Sequence, residues 1–449
     1  MKVTKTCVKL VKPKKPTPPH LRRYGLTVFD LRQIPVLINC VLFYRADGDD
    51  HEGNIDHRLA RLEESLSEAL VVYYPLAGRY VEEGSYIDCN DEGVEFIVGT
   101  IDVRLDEILE KDPDRPGIDF MELIKRTPRY GANLPLIVAQ VFLFECGAVA
   151  IEFNFSHIVA DFASAITFLK GWAMISRCGT LDEAYHPSFE VSTIFPGKEW
   201  RSGEQVRPLE IPIPGQEKLI RNRFVFDGKT LKELALGIAG DVKDDPNGAV
   251  NRPPSRVEIV LGSLWKALVK VDGWKSTGSP RPIAFETAMN LRGKAGKLTP
   301  KNAFGNLVTH VYVEARTEDR EMELGGFVKA VQRMLGNARS KYGSIDNAQE
   351  FLAMFEGDWR SIDSQVGGRA EGKHAVWSTS FCGFGTYEID FGFGKPELVV
   401  TPGPPFRFVL LMDGRGDDRG IDALVILDED EMAQFKKEMV AFLPGMLRA

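Results

Sequence analysis

The chain has 449 residues, 56 of them basic and 64 acidic, giving a net charge of −8 at pH 7. At 44% apolar and 27% charged it has a globular composition, and its length exceeds one ordinary core, so two domains of about 200 residues each are expected. The acidic balance and the scatter of the basic residues argue against a surface that wraps a phosphate backbone.

The N-terminal run Lys9-Leu10-Val11-Lys12-Pro13-Lys14-Lys15 reads as a solvated basic arm. Prolines at 13, 16, 18 and 19 interrupt any apolar stretch there, so no secretory signal is expected and the protein is read as cytoplasmic. Cysteines at 7, 40, 89, 146, 178 and 382 form neither CxxC pairs nor a zinc spacing with histidine, which predicts reduced thiols and no metal. Residues 57–71 place Leu59, Leu62, Leu66, Ala69 and Leu70 on one helical face, and Tyr74-Pro75-Leu76-Ala77-Gly78-Arg79 ends that helix. Short strands are predicted over 80–81, 86–88 and 95–98. Residues 134–155 look superficially like a membrane span. They carry Gln140, Glu145, Glu152 and Asn154 with a Cys146-Gly147 turn, which predicts a hairpin of strands 136–144 and 148–155 instead. Phe162, Ala165, Ile166, Leu169 and Trp172 then recur at helical spacing, with Asp161 where an anion suits the helix start.

Residues 193–220 carry four prolines and weak periodicity, and are read as a crossover between an N-terminal domain, 1–192, and a C-terminal domain, 221–449. The second half opens near Phe224-Val225-Phe226. A helix over 255–269 capped by Ser255, a strand over 281–289 and a helix over 327–335 follow. Residues 376–394, 398–400 and 406–412 are strand-like, and 430–440 close with a helix. Strands and helices interspersed with hairpins predict an α/β (α+β) class, mixed sheets with flanking helices.

Among seven histidines, His157 stands out because it follows an apolar strand and precedes a helix, a junction that puts a side chain at a sheet edge. His157-x-x-x-Asp161 admits two readings: a dyad in which the carboxylate orients the ring, or a loop anchor in which it turns away into an ion pair. Asp390-Phe391-Gly392-Phe393-Gly394 offers no activated nucleophile and reads as structural support, with glycines for a bulge or a close approach. Tyr74 to Arg79, Asn290-Leu291-Arg292 and Phe304-Gly305-Asn306 complete the set.

In this order and spacing the segments resemble the BAHD family of acyltransferases over nearly the whole chain, most closely the branch containing vinorine synthase and related alkaloid and alcohol acetyltransferases. The resemblance implies a two-domain, chloramphenicol acetyltransferase-like fold with the active site in a channel between the domains. Part of 365–385 would pack with the N-terminal domain. It implies His157 as general base and Asp161 as structural support paired with Arg292, with Asp390, Gly392 and Gly394 structural. Thr379, Ser380 and Phe381 become the loop that contributes to the acceptor site or the oxyanion. Ser255, Arg256 and Lys266 are the candidates for CoA contact, on a predicted helix that would offer donors to phosphates. Phe393 and Phe381 stand where the family usually has tryptophan, each removing an indole N–H donor. Ala303-Phe304-Gly305-Asn306-Leu307 departs from the Tyr-Phe-Gly-Asn-Cys run of anthocyanin malonyl transfer.

The function expected is O-acyl transfer from an acyl-CoA co-substrate, acetyl-CoA first, to a hydroxyl of a plant specialised metabolite. No permanently bound cofactor, nucleic acid or membrane partner is expected, and the protein is expected to be a monomer. The alternatives are another acyl-CoA, an amine acceptor, or a non-catalytic binding relative; intact His157 and Asp161 weigh against the last.

Overall fold

The computed structural model describes residues 2–34, 36–46, 55–110, 132–197, 219–240, 252–275, 283–315, 317–366, 374–416 and 418–443. Most of the expected crossover, 198–218, lies outside these, as do Arg281 and Pro282 at the start of an expected strand. The chain divides into two compact units. The first takes Met1–Glu210, Lys297–Leu307 and Phe384–Pro402; the second takes Ile211–Gly296, Val308–Gly383 and Gly403–Ala449. The described part of 365–385 therefore falls in the second unit up to Gly383 and in the first from Phe384.

In chain order the strands are β1 (Val3–Val11), β2 (Arg23–Gly25), β3 (Leu37–Tyr44), β4 (Arg79–Val81), β5 (Tyr86–Asp88), β6 (Val94–Ile101), β7 (Ile137–Phe144), β8 (Val149–Ser156), β9 (Leu219–Phe226), β10 (Ile283–Asn290), β11 (Val308–Ala315), β12 (His374–Ser380), β13 (Leu398–Val400), β14 (Phe408–Asp413) and β15 (Ile421–Asp428). The first unit holds a six-stranded sheet in the order β1-β6-β7-β8-β3-β13, antiparallel except for the parallel pair β6/β7, and a small sheet β2-β5-β4. The second unit holds one sheet, β11-β10-β12-β14-β15-β9, in which β12 runs parallel to both β10 and β14 and the other pairs are antiparallel. Both six-stranded sheets are thus mixed, as the interspersed pattern predicts.

Residues 134–155 fold as the expected hairpin, with Ile137 opposite Phe155 and Leu143 opposite Val149. The helix over 57–71 runs Ile55–Val72 and buries Leu62, Leu66, Ala69 and Leu70. It packs beside the helix Phe162–Cys178: the Trp172 indole N–H donates to the Leu62 carbonyl at 3.1 Å. From β8, Phe153 stacks on Phe168 of that helix, ring centroids 5.5 Å apart. Each such buried apolar side chain contributes about 1.5–3 kcal/mol.

Three expectations need correction. The basic N-terminal arm is in part the edge strand β1, paired with β6 from Val3↔Ile101 to Val11↔Val94. An edge strand is held by backbone hydrogen bonds and leaves most side chains in water, so its lysines read as a polar arm. The strand-like run 376–394 stops at Ser380, and Gly392 and Gly394 adopt φ of 101° and 79°, outside the extended region. The helix predicted over 255–269 begins at Arg256 and continues to Lys275.

Candidate active site

His157 is set at the end of β8 by main-chain bonds on both sides. Ser156 N–H donates to the Leu136 carbonyl at 2.8 Å, and His157 N–H donates to the Val36 carbonyl at 3.0 Å. A turn through Val159 follows, and Asp161 then caps the helix Phe162–Cys178, its Oδ1 accepting from Ser164 N–H at 2.9 Å. The half-buried imidazole is thereby fixed between a sheet and a helix start.

The ring's Nδ1 lies 2.9 Å from Oδ1 of Asn306, which is fully buried. The orientation of the Asn306 amide follows from its other partners. Its Nδ2 donates to Asp30 Oδ1 and to the His157 carbonyl, both at 2.8 Å. Turning the amide over would set its oxygen against a carboxylate and a carbonyl with no proton between them. Oδ1 therefore faces the ring as an acceptor, and Nδ1 carries the hydrogen. In the neutral imidazole this leaves the lone pair on Nε2.

The turn that carries Asn306 is stapled to the helix start. Ser164 Oγ accepts from Gly305 N–H at 3.1 Å and donates to the Gly305 carbonyl at 2.9 Å. Gly305 has φ of 112°, a conformation that a side chain disfavours. Asp161 adds a second bond, its Oδ2 accepting from Leu307 N–H at 3.0 Å. Both carboxylate oxygens of Asp161 are thus engaged by main-chain N–H groups, an anchoring geometry. Asp161→Ala is expected to cost about 2–4 kcal/mol, from the lost cap and an unsatisfied buried N–H. Denaturant unfolding checks this; an unchanged midpoint would refute the anchor.

Behind Asn306, Asp30 is 2% exposed and closes a capping box with Thr27 at the helix Val28–Leu31. Burial pushes its carboxyl up to about 6, against the opposing pull of bonds from Thr27 and Asn306. Sequence reasoning placed Phe304-Gly305-Asn306 among the characteristic segments without a role for Asn306, and missed Asp30. Thr27-Val28-Phe29-Asp30 has the spacing of a capping box, which signals a helix start and nothing about His157.

Asp390, Gly392 and Gly394 lie in the first unit. Asp390 Oδ1 accepts from Gly392 N–H at 2.8 Å, and its Oδ2 lies 3.2 Å from Arg177 Nη1. Phe391 meets Trp172 edge-on at 4.7 Å, and Phe393 meets Tyr44 at 5.6 Å. Tyr44 Oη donates to the Ile389 carbonyl at 2.9 Å, closing the segment onto β3.

The remaining predicted residues belong to the second unit. Thr379 lies opposite Leu410 near the end of β12, Ser380 Oγ accepts from Cys382 N–H at 3.3 Å, and Phe381 N–H donates to the Leu411 carbonyl at 2.7 Å. Arg292 follows β10, its N–H and Nη1 both donating to Asn290 Oδ1, at 3.0 and 3.2 Å. Ser255 and Arg256 stand together at a helix start, where Ser255 and Glu258 form a reciprocal cap. Arg256 Nη1 donates to the Gly420 carbonyl at 3.3 Å, and its Nη2 lies 3.8 Å from Asp413. Lys266 sits about 15 Å further along the helix axis, beside Glu323 at 3.7 Å. The helix start gathers the first two and not the third.

Among the described residues, no group of three or more His, Cys, Asp or Glu is placed to hold a metal ion. No described helix is long and apolar enough to cross a membrane.

A family model described as "Transferase family" matches residues 1–442. Acetyl-CoA-benzylalcohol acetyltransferase of Clarkia breweri is 30% identical over 441 residues, covering 97% of this chain and 98% of that protein. Stemmadenine O-acetyltransferase of Catharanthus roseus is 30% identical over 453 residues, covering 97% and 96%. Among solved structures, that of vinorine synthase superposes with a TM-score of 0.79 at 26% identity, covering 98% of both chains. The TRI101 protein of F. sporotrichioides, in a structure with coenzyme A and T-2, shares the fold, with a TM-score of 0.70 at 18% identity over 92% of this chain and 97% of that one.

Proposed function

The chain belongs to the BAHD family of acyltransferases, and on that premise we propose that it transfers an acetyl group from acetyl-CoA to a hydroxyl of a plant specialised metabolite, with His157 as the general base. The observation that carries this reading is the bond from His157 Nδ1–H to Asn306 Oδ1, which leaves Nε2 as the proton acceptor.

An alcohol is too weak an acid to ionise at neutral pH, so its proton must leave as its oxygen attacks. His157 Nε2 takes that proton, and the new C–O bond forms at the thioester carbonyl. The tetrahedral intermediate collapses with loss of the C–S bond. The imidazolium returns its proton to the departing CoA thiolate, so the base is regenerated and no acyl-enzyme forms. Through the charged stage Nδ1–H keeps its bond to Asn306, which holds the ring in register. Acetyl as the group and an alcohol as the acceptor are supported by the names of the two relatives, a benzylalcohol acetyltransferase and a stemmadenine O-acetyltransferase.

The test is CoA release by the purified protein with acetyl-CoA and a panel of alcohols and amines, followed by mass spectrometry of the products. An acetyl ester is the expected product. An amide, or turnover only with a longer or aromatic acyl-CoA, would replace the acceptor or the donor. No CoA release with any pair would favour a binding role.

A further inference from the structure

We propose that Asp30 is a positioning residue for this reaction: by fixing the amide of Asn306 it selects the His157 tautomer in which Nε2 is the base. The inference rests on the reading of His157 as base and extends it to a residue that does not touch substrate.

Asp30 distributes its two oxygens between two tasks. Oδ2 accepts from the N–H and the Oγ1–H of Thr27, both at 2.7 Å, and so starts the helix Val28–Leu31. Oδ1 accepts from the main-chain N–H and the side-chain Nδ2 of Asn306, both at 2.8 Å. All four partners are donors, and only an ionised carboxylate presents acceptors to all of them. An amide at position 30 would turn its NH2 against either Thr27 or Asn306. In the first case the helix start loses its cap. In the second the Asn306 amide is opposed by a donor where it now meets an acceptor, and its preference for the present orientation falls. Reversal of that amide would present Nδ2 to the ring, move the imidazole proton to Nε2 and remove the base.

The main chain on both sides of Asn306 is held: Gly305 is bonded through its N–H and its carbonyl to Ser164 Oγ. Leu307 N–H on the far side is tied to Asp161. Among the described residues, the titratable groups near this turn include His157, reached from Asp30 through Asn306, Asp161, whose Oδ2 accepts from Leu307 N–H, and Tyr24, whose ring packs edge-on against Phe304. The negative charge of Asp30 also reaches the ring through the Asn306 dipole. Its loss should make the imidazole less basic and move the acid limb of kcat/KM to lower pH.

The experiment records 15N spectra of histidine-labelled protein, with the His157 signals identified by their loss in His157→Gln. Wild type should show hydrogen on Nδ1. Asp30→Asn should show mixed or reversed tautomers and a kcat at least tenfold lower, with KM changed much less. Thr27→Val, which exchanges the hydroxyl for a methyl and keeps the main-chain N–H, should lower the melting temperature and leave the tautomer unchanged. Hydrogen on Nε2 in wild type overturns the proposal even if Asp30→Asn does not fold. An Asp30→Asn protein with wild-type spectra and kcat overturns it as well. The first result would also remove Nε2 as the base; the second leaves the base assignment standing, and that assignment fails separately if His157→Ala retains turnover.

Discussion

His157→Ala is expected to lose acyl transfer by about 10²- to 10⁴-fold in kcat, the range that positioned proton transfer supplies. The substitution removes the only group argued to take the acceptor's proton, while leaving the frame that places it. Asp30 still holds the Asn306 N–H and Nδ2, and Asp161 still caps the helix and holds Leu307. The folding cost should be limited to the unfilled acceptor at Asn306 Oδ1, about 1–3 kcal/mol. A thermal melt beside a CoA-release assay separates the two effects. Turnover near the wild-type rate in a folded variant would remove the general-base mechanism.

Phe391→Ala should unfold or severely destabilise the first unit, with a loss of about 3–5 kcal/mol. Phe391 is 2% exposed, packs edge-on against Trp172, and its carbonyl accepts from Ser176 Oγ at 2.9 Å. Trp172 is itself fully buried and ties the helix Phe162–Cys178 to the helix Ile55–Val72. A cavity at 391 thus loosens the helix whose N-terminus carries Asp161. The denaturant midpoint should fall with little change in slope. A variant as stable as wild type would show that the two-glycine segment does not buttress this helix. Phe391→Leu, closer in volume, should recover much of the loss.

Periodicity made much of the fold legible. The Leu62, Leu66, Ala69 face, the hairpin over 136–155 and the helix after Asp161 all occur where alternation or helical spacing places them. Elements with ambiguous patterns were not legible. β3 and β15 are apolar runs near eight residues long without a distinguishing period, and β15 is buried along its whole length. β1 is mostly exposed and reads as polar.

The order and spacing of the short segments, His157-x-x-x-Asp161 foremost, determined the family and hence the class of reaction, because residues gathered at one strand–helix junction are close in the chain and leave a local signature. Hydrogen-bond partners leave none when they are far apart in the chain. Asn306 stands 149 positions from His157, and Asp30 stands 276 positions from Asn306. Which nitrogen of His157 carries the proton depends on which atom of Asn306 faces it, and that depends on Asp30 and a main-chain carbonyl. The sequence by itself determined the family and pointed to His157 as the proposed base; only the tertiary structure decided which atoms face its ring, because a tautomer is set by partners that folding brings within 3 Å.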